Sequence, residues 1–176
     1  MRLFAEEDKA GTLETLMTAP VTATQVVFSK YTAALCFYAM LWLPMLLHLK
    51  IFEWVSGDYA PHEFGHLLGT YTILMLIGAF FLAIGCLASA LTSSQIVAGI
   101  ITIAALVMQF FLGLVPYYTG EGFQAVSIFH YVSIQEHLAN SARGLLDSRP
   151  IIYFSSMAAI FLFLTHVALD FRRWKS

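Results

Sequence analysis

The chain has 176 residues, of which 59% are hydrophobic and only 11% are charged, and its mean hydropathy is +0.76. A soluble domain carries ~25% charged residues, so this composition excludes a soluble globular domain, and it also excludes a disordered chain, whose hydrophobicity is low. A net charge of -2 gives no basic surface for nucleic acid, and the two cysteines, Cys36 and Cys86, are too few for a disulfide framework.

Three long segments without a charged residue indicate an integral membrane protein: 31–49, 64–120 and 150–169. A helix needs about 20 apolar residues to cross ~30 Å of hydrocarbon, so the middle segment is long enough for two spans. We therefore predict an all-α membrane protein, a single domain with four transmembrane helices at about 25–49, 67–91, 96–116 and 150–169.

The first 22 residues are the most polar part of the chain, and they predict a short amphipathic helix before the first span. Gly11 favours a turn, Thr12 can cap a helix that covers residues 13–18, and Pro20 ends it. Glu14 lies in the first turn, where the helix dipole favours negative charge. The i, i+3, i+4 spacing defines one apolar face, which consists of Leu13, Leu16 and Met17.

Local patterns define the boundaries of the longer helices. Thr22 and Gln25 form a capping box that begins the first span, and residues 92–95 repeat this pattern as a tight turn. The second and third spans are therefore predicted to form an antiparallel hairpin, with the third ending near Pro116. Residues 117–149 are amphipathic and are predicted to lie at or dip into the external interface, with one apolar stripe formed by Ile134, Leu138, Ala142 and Leu145.

The distribution of lysine and arginine predicts the orientation. Four spans place both termini on the same side of the membrane. If that side is the cytoplasm, six of these residues lie inside, against three outside, Lys50, Arg143 and Arg149. The positive-inside rule therefore favours cytoplasmic termini. No cleavable signal is expected, because acidic residues follow Met1 where a signal peptide would be apolar.

One motif favours a different function. His62, Glu63 and His66 match the HExxH pattern of zinc hydrolases, in which two histidines on one helical face hold the metal and the glutamate activates water. The motif is predicted at the external mouth of a helix, directly after Pro61, and no third-ligand motif follows. Interfacial side chains without a metal are the preferred interpretation, and an intramembrane zinc metalloprotease is the alternative.

The remaining polar residues within the spans, among them Ser89, Thr102 and Gln109, are expected to form hydrogen bonds between helices. The sequence contains no GxxxxGK[ST] motif, so this chain cannot by itself hold the phosphates of ATP. We expect no catalytic, cofactor-binding or metal-binding residue and no enzymatic activity.

The N-terminal block is the most specific part of the sequence: MRLFAEE at 1–7, GTLETL at 11–16, APV at 19–21 and QVV at 25–27, followed by Lys30 and Tyr31. It resembles the cytoplasmic loop of ABC-2 type transporter permeases, in particular the gliding-motility GldF-like group. Similar stretches continue to the end of the chain: FLAIG at 81–85, SALT at 89–92, QIVA at 95–98, ARG at 142–144, Asp147, YF at 153–154 and RRW at 172–174.

This resemblance implies that residues 1–22 are a coupling segment whose short helix contacts a partner ATPase. It implies partner-coupling roles for Glu7, Gly11, Thr12, Leu13, Glu14, Leu16, Met17 and Pro20. In such permeases the loop joins the second and third of six membrane helices, so two further helices would precede Met1. The sequence would then be a fragment or a naturally short form, or its start codon would be misplaced.

The predicted function is a permease subunit of an ATP-binding cassette transporter, with ATP and magnesium bound by a separate ATPase subunit. The expected partners are that ATPase, a second permease subunit in a homodimer or heterodimer, and membrane lipid. The expected location is the plasma (inner) membrane, and gliding motility is one candidate process. A structural membrane subunit that transports nothing is a further alternative.

Overall fold

The computed structural model describes residues 4–5, 22–57, 64–118, 126–145 and 147–173. Helices account for 93% of these residues, and no strand occurs among them. The predicted all-α membrane fold is confirmed.

Six helices make up the described part of the chain. They are α1 (Ala23–Ser56), α2 (Phe64–Leu91), α3 (Gln95–Tyr118), α4 (Val126–Val132), α5 (Ile134–Ala142) and α6 (Ser148–Arg173). Within these, four stretches are long and apolar enough to cross a membrane: Ala23–Ser56, Leu67–Leu91, Gln95–Tyr118 and Ser148–Phe171. The two shortest, with 24 residues each, measure ~36 Å at 1.5 Å per residue, which exceeds the ~30 Å hydrocarbon core.

The helix boundaries follow local side-chain chemistry. The capping box predicted at the start of α1 is present: the backbone N–H of Gln25 donates to the hydroxyl of Thr22 at 3.3 Å, and Oε1 of Gln25 accepts from the N–H of Thr22 at 3.0 Å. At the other end α1 continues through Pro44 to Ser56, beyond the predicted end near residue 49. Gly57 then takes φ +56°, a conformation that glycine adopts without steric cost.

A three-residue turn joins α2 to α3, as the sequence predicts. In this turn the hydroxyl of Thr92 accepts from the N–H of Ser94 and donates to its carbonyl oxygen, both at 3.0 Å. Helix α3 ends at Tyr118, two residues beyond Pro116. The short turn places α2 and α3 side by side in antiparallel order.

Helix α2 is the central element and contacts α1, α3, α5 and α6, with its largest interface against α6. Its buried face carries Ile73, Ile77, Phe80 and Ile84 at helical spacing, and these side chains cluster with Phe154 of α6. In contrast, large apolar side chains on α1 and α3 are exposed, among them Phe37, Leu41, Ile103 and Phe111. Such surfaces suit a lipid environment, because exposing apolar side chains to lipid tails carries no hydrophobic penalty.

A second buried cluster defines one end of the bundle. It joins Phe4, Val27 near the start of α1, Ala90 near the end of α2 and Leu169 near the end of α6. We call this the proximal end and the opposite one the distal end. The first described residues and the last turns of α6 therefore lie at the same end of the bundle.

Gly78 sets the closest approach between α1 and α2. A Cβ atom at this position would collide with the ring of Tyr38, which lies across the glycine. The Tyr38 hydroxyl donates to the carbonyl oxygen of Leu74 at 3.1 Å, so the ring is held at this point. The ring of Tyr38 also packs edge-on against Trp42, and Trp42 against Tyr71.

Gly78→Ala is expected to destabilise the protein by roughly 1 to 3 kcal/mol, because the added methyl displaces the Tyr38 ring and overpacks the interface. Thermal unfolding in detergent measures the effect. Gly65→Ala is the control on the same helix, since a Cβ there meets no atom of the described residues within 4 Å. The double variant Gly78→Ala, Tyr38→Ala should recover part of the loss. An unchanged unfolding temperature for Gly78→Ala would contradict this account of the interface.

Candidate functional site

The eight predicted partner-coupling residues lie outside the described residues: Glu7, Gly11, Thr12, Leu13, Glu14, Leu16, Met17 and Pro20. Of the predicted coupling segment, residues 1–22, the structure describes only residues 4–5 and Thr22, which flank residues 6–21. These flanks show where the segment leaves the bundle and where it returns.

The first flank is bound to the end of α2. The backbone N–H groups of Phe4 and Ala5 both donate to the hydroxyl of Ser89 at 3.0 Å. The Phe4 side chain is fully buried in the proximal cluster, and the Lys30 ammonium lies 4.9 Å from the centre of its ring. Ser89 was predicted to form hydrogen bonds between helices, and in the structure its hydroxyl anchors the backbone that precedes residues 6–21.

The second flank is the capped start of α1. Thr22 caps the helix, and Val27 one turn further on packs in the same proximal cluster as Phe4. Residues 6–21 therefore begin and end at the proximal end of the bundle. A displacement of this segment would act on the start of α1 and, through Ser89, on the end of α2.

At the distal end, α4 and α5 dip into the bundle. The two helices are interrupted at Ser133, and Ile134 and Leu138 of α5 pack against the core cluster of α2 and α6. Gln109 of α3 contacts Val132 of α4. Gln109 lies nine residues, or ~13 Å, before the end of α3. The predicted interfacial segment therefore enters the apolar layer.

Three side-chain hydrogen bonds join the interruption to α3, and the first of them satisfies a backbone carbonyl oxygen at the interruption itself. The Gln109 amide donates to the carbonyl oxygen of Val132 at 3.0 Å, as expected of a polar residue that joins two helices. The Ser133 hydroxyl donates to the carbonyl oxygen of Gly113 at 3.0 Å, and the Gln135 amide donates to that of Phe110 at 3.3 Å. Irregular backbone at membrane depth is tolerated only when such partners are present.

Ser133 also caps α5, because its hydroxyl accepts from the N–H of Glu136 at 3.3 Å. This cap was not predicted, although Ser133 and Glu136 have the S-x-x-E spacing of a helix start. The contact of Ser133 with Gly113 has no signal in the sequence, since the two residues are 20 positions apart.

The predicted apolar stripe of this segment is partly wrong. Ile134 and Leu138 face the core, whereas Ala142 and Leu145 are exposed. Helix α5 ends at Ala142, so Leu145 no longer follows its periodicity. The buried positions in the last turns are instead polar, namely His137 and Ser141.

Two histidines belong to this distal segment. The buried His137 places Nε2 2.9 Å from the carbonyl oxygen of Tyr131, and its ring packs edge-on against Phe154. On the surface, Nδ1 of His130 lies 2.6 Å from a carboxylate oxygen of Glu136. Both histidines therefore contribute to the packing of α4 on α5.

The HExxH pattern lies in a part of the chain that the structure does not describe in full. His62 and Glu63 lie outside the described residues, as does the side chain of His66. Within the ranges that are described, no three His, Cys, Asp or Glu residues come close enough to hold a metal ion.

Of the other polar residues in the spans, Thr102 donates to the carbonyl oxygen of Ala98 in its own helix, at 2.8 Å.

The comparisons with known proteins identify a family. The model described as ABC-2 family transporter protein matches residues 1–115, which include the predicted coupling segment, α1, α2 and most of α3. No curated protein and no solved structure gave a match. Members of the family are permease subunits of ABC transporters, and they normally work with a separate ATPase. With about two thirds of its length matched, the chain belongs to the ABC-2 family of transporter proteins.

Proposed function

We propose that this permease subunit couples ATP hydrolysis by a partner subunit to transport through residues 6–21. The observation that carries the proposal is the family match, which covers this segment together with the helices that flank it. The partner would bind ATP and magnesium, since the chain has no GxxxxGK[ST] motif of its own. This chain would contribute the membrane path and no catalytic residue.

The attachment of both flanks supports a mechanical role for the segment. Phe4 and Ala5 are bound to Ser89 on α2, and Thr22 begins α1. A partner that moves the segment would therefore move two spanning helices together. Helix α2 would transmit this motion to α6, because the largest helix interface in the described part of the chain joins these two. Rocking of these helices around a central path is the expected transport motion.

The proximal end is proposed to face the cytoplasm, where ATP is available. The lysine and arginine count supports this orientation in the plasma (inner) membrane. We also propose that two permease subunits pair, as a homodimer or heterodimer, to complete the path. The similarity of the N-terminal block to the gliding-motility group is the basis for proposing a role in that process.

The helices α4 and α5 are proposed to form the outer gate. They enter the distal end of the bundle, and three side-chain hydrogen bonds connect them to α3. These bonds join neutral groups, each with a net contribution of about 1 kcal/mol, so they can break and re-form during a transport cycle.

Leu16→Asp is expected to weaken binding of the partner ATPase at least tenfold. Burying one leucine side chain contributes roughly 1.5 to 3 kcal/mol, and ~1.4 kcal/mol corresponds to a factor of ten in affinity. Membrane insertion should be retained, because residue 16 precedes the first span of the described residues, which begins at Ala23. Co-purification of the ATPase with the full chain, quantified over a range of ATPase concentrations, measures the effect.

Thr15→Asp is the matched control for this variant. It adds the same charge to the same predicted helix, on the face opposite to Leu13, Leu16 and Met17. The ATPase should bind this variant with nearly unchanged affinity. If Leu16→Asp retains full ATPase binding, or if both variants lose it equally, the proposed apolar coupling face is wrong.

Gly113→Ala is expected to displace α4 and α5 from the bundle. A Cβ at this position would collide with the side-chain oxygen of Gln135 and would lie 3.3 Å from the Cα atom of Ser133. Overpacking of this kind costs roughly 1 to 3 kcal/mol. The measurement uses a reporter cysteine in place of the buried Ser141, in a protein whose exposed Cys36 is replaced by alanine. This cysteine should react with maleimide about tenfold faster when Gly113→Ala is present than when it is absent.

Gly99→Ala is the control, since Gly99 lies on the same helix and a Cβ there meets no atom of the described residues within 4 Å. Labelling at position 141 should be unchanged in this control. Equal reactivity in the Gly113→Ala and Gly99→Ala backgrounds would show that α3 does not hold the distal helices in place.

A further inference from the structure

A groove opens on the surface of the bundle between α1, α2 and α6. Its volume is about 540 Å³. Phe154 and Ala158 are buried at its floor, and the exposed rings of Phe28 and Phe163 stand among its lining residues. The surface of the groove is thus mostly apolar, and it lies within stretches that are long enough to cross a membrane.

The groove has the length of one lipid leaflet. Along α6 its lining extends from Ser155 to His166. These eleven steps correspond to ~16 Å of helix, which is close to half of the ~30 Å hydrocarbon core. Since His166 lies near the end of α6 and Thr24 near the start of α1, one end of the groove reaches the proximal end of the bundle.

The proximal end of the groove is polar. Thr24 and His166 are lining residues there, and Nε2 of His166 lies 3.6 Å from a carboxylate oxygen of Asp170. Further along, the hydroxyl of Tyr31 donates to the carbonyl oxygen of Ala79 at 3.0 Å, so it is engaged within the protein. A ligand with one polar end and a long apolar body matches this arrangement.

We propose that the groove binds one acyl chain of a membrane phospholipid, with the headgroup beside Thr24 and His166. A helix ~10 Å across and ~16 Å long occupies roughly 1,200 Å³, more than twice the volume of the groove, so only one face of a helix could enter it, whereas an acyl chain can lie within it. A hydrocarbon chain carries no side chains and is much thinner than a helix. Since lipid tails are as apolar as the groove, selective binding comes from close packing and from the polar end.

The test uses the full chain in phosphatidylcholine vesicles that contain a trace of phosphatidylcholine with a photoreactive diazirine on one acyl chain. After irradiation, mass spectrometry locates the adducts. They should concentrate on the groove residues of α1 and α6, and be rare on the exposed face of α3 around Met108 and Phe111. Ala159→Phe, which fills the groove from an exposed lining position, should lower the groove adducts about tenfold.

Ala104→Phe is the matched control, because Ala104 is an exposed alanine on α3 that does not line the groove. It should leave the groove adducts unchanged. Ser155→Phe fills the same groove from its other end and replaces Ala159→Phe if that variant fails to fold.

Three results would overturn the proposal. The first is that adducts spread equally over the groove and α3, and the second is that neither filling variant lowers the groove adducts. The third comes from a separate irradiation with a photoreactive amino acid placed in the groove: capture of protein instead of lipid. No ATPase is present in the sample, so the outcome is independent of the proposed coupling function.

Discussion

Backbone carbonyl and amide groups inside an apolar layer need partners that lipid cannot supply, so a helix that is interrupted there depends on its neighbours. The break between α4 and α5 is such a point. Gln109, Ser133 and Gln135 connect it to α3, and the absence of a side chain at Gly113 leaves room for them. Together with the packing of Ile134 and Leu138 on the α2–α6 cluster, these contacts hold the distal segment in the bundle. The architecture of the distal end therefore depends on α3 as well as on the α2–α6 pair.

The two ends of the molecule share a common support. At the proximal end, Phe4 packs in one cluster with Ala90 of α2 and Leu169 of α6. At the distal end, Ile134 and Leu138 pack on the cluster that contains Ile73 of α2 and Phe154 of α6. The α2–α6 pair thus contacts both the flank of the coupling segment and the proposed outer gate. A change in the tilt of this pair would move the proximal and the distal contacts together. The proposed transport cycle, in which an ATPase acts at the proximal end and the gate lies at the distal end, needs such a connection.

The sequence was informative where structure follows from composition or from near neighbours. Uncharged runs predicted the four spanning helices, and the Thr22–Gln25 capping box is present as predicted, because both depend on residues close together in the chain. The anchoring of Phe4 by Ser89 could not be predicted, because 85 positions separate them. For the same reason the apolar stripe of residues 117–149 was only half correct: tertiary contacts decide which face of α5 is buried. The roles of the coupling residues stay predictions, since residues 6–21 lie outside the described part.

The central claim is that residues 6–21 transmit the work of an ATPase to the membrane helices. Site-specific photocrosslinking in native membranes tests it most directly. With p-benzoylphenylalanine in place of Leu16, the account predicts an adduct with an ABC ATPase subunit, identified by mass spectrometry. The same amino acid in place of Thr15 should give much less of this adduct. Adducts of position 16 with lipid alone, or with a protein that has no ATP-binding cassette, would contradict the account.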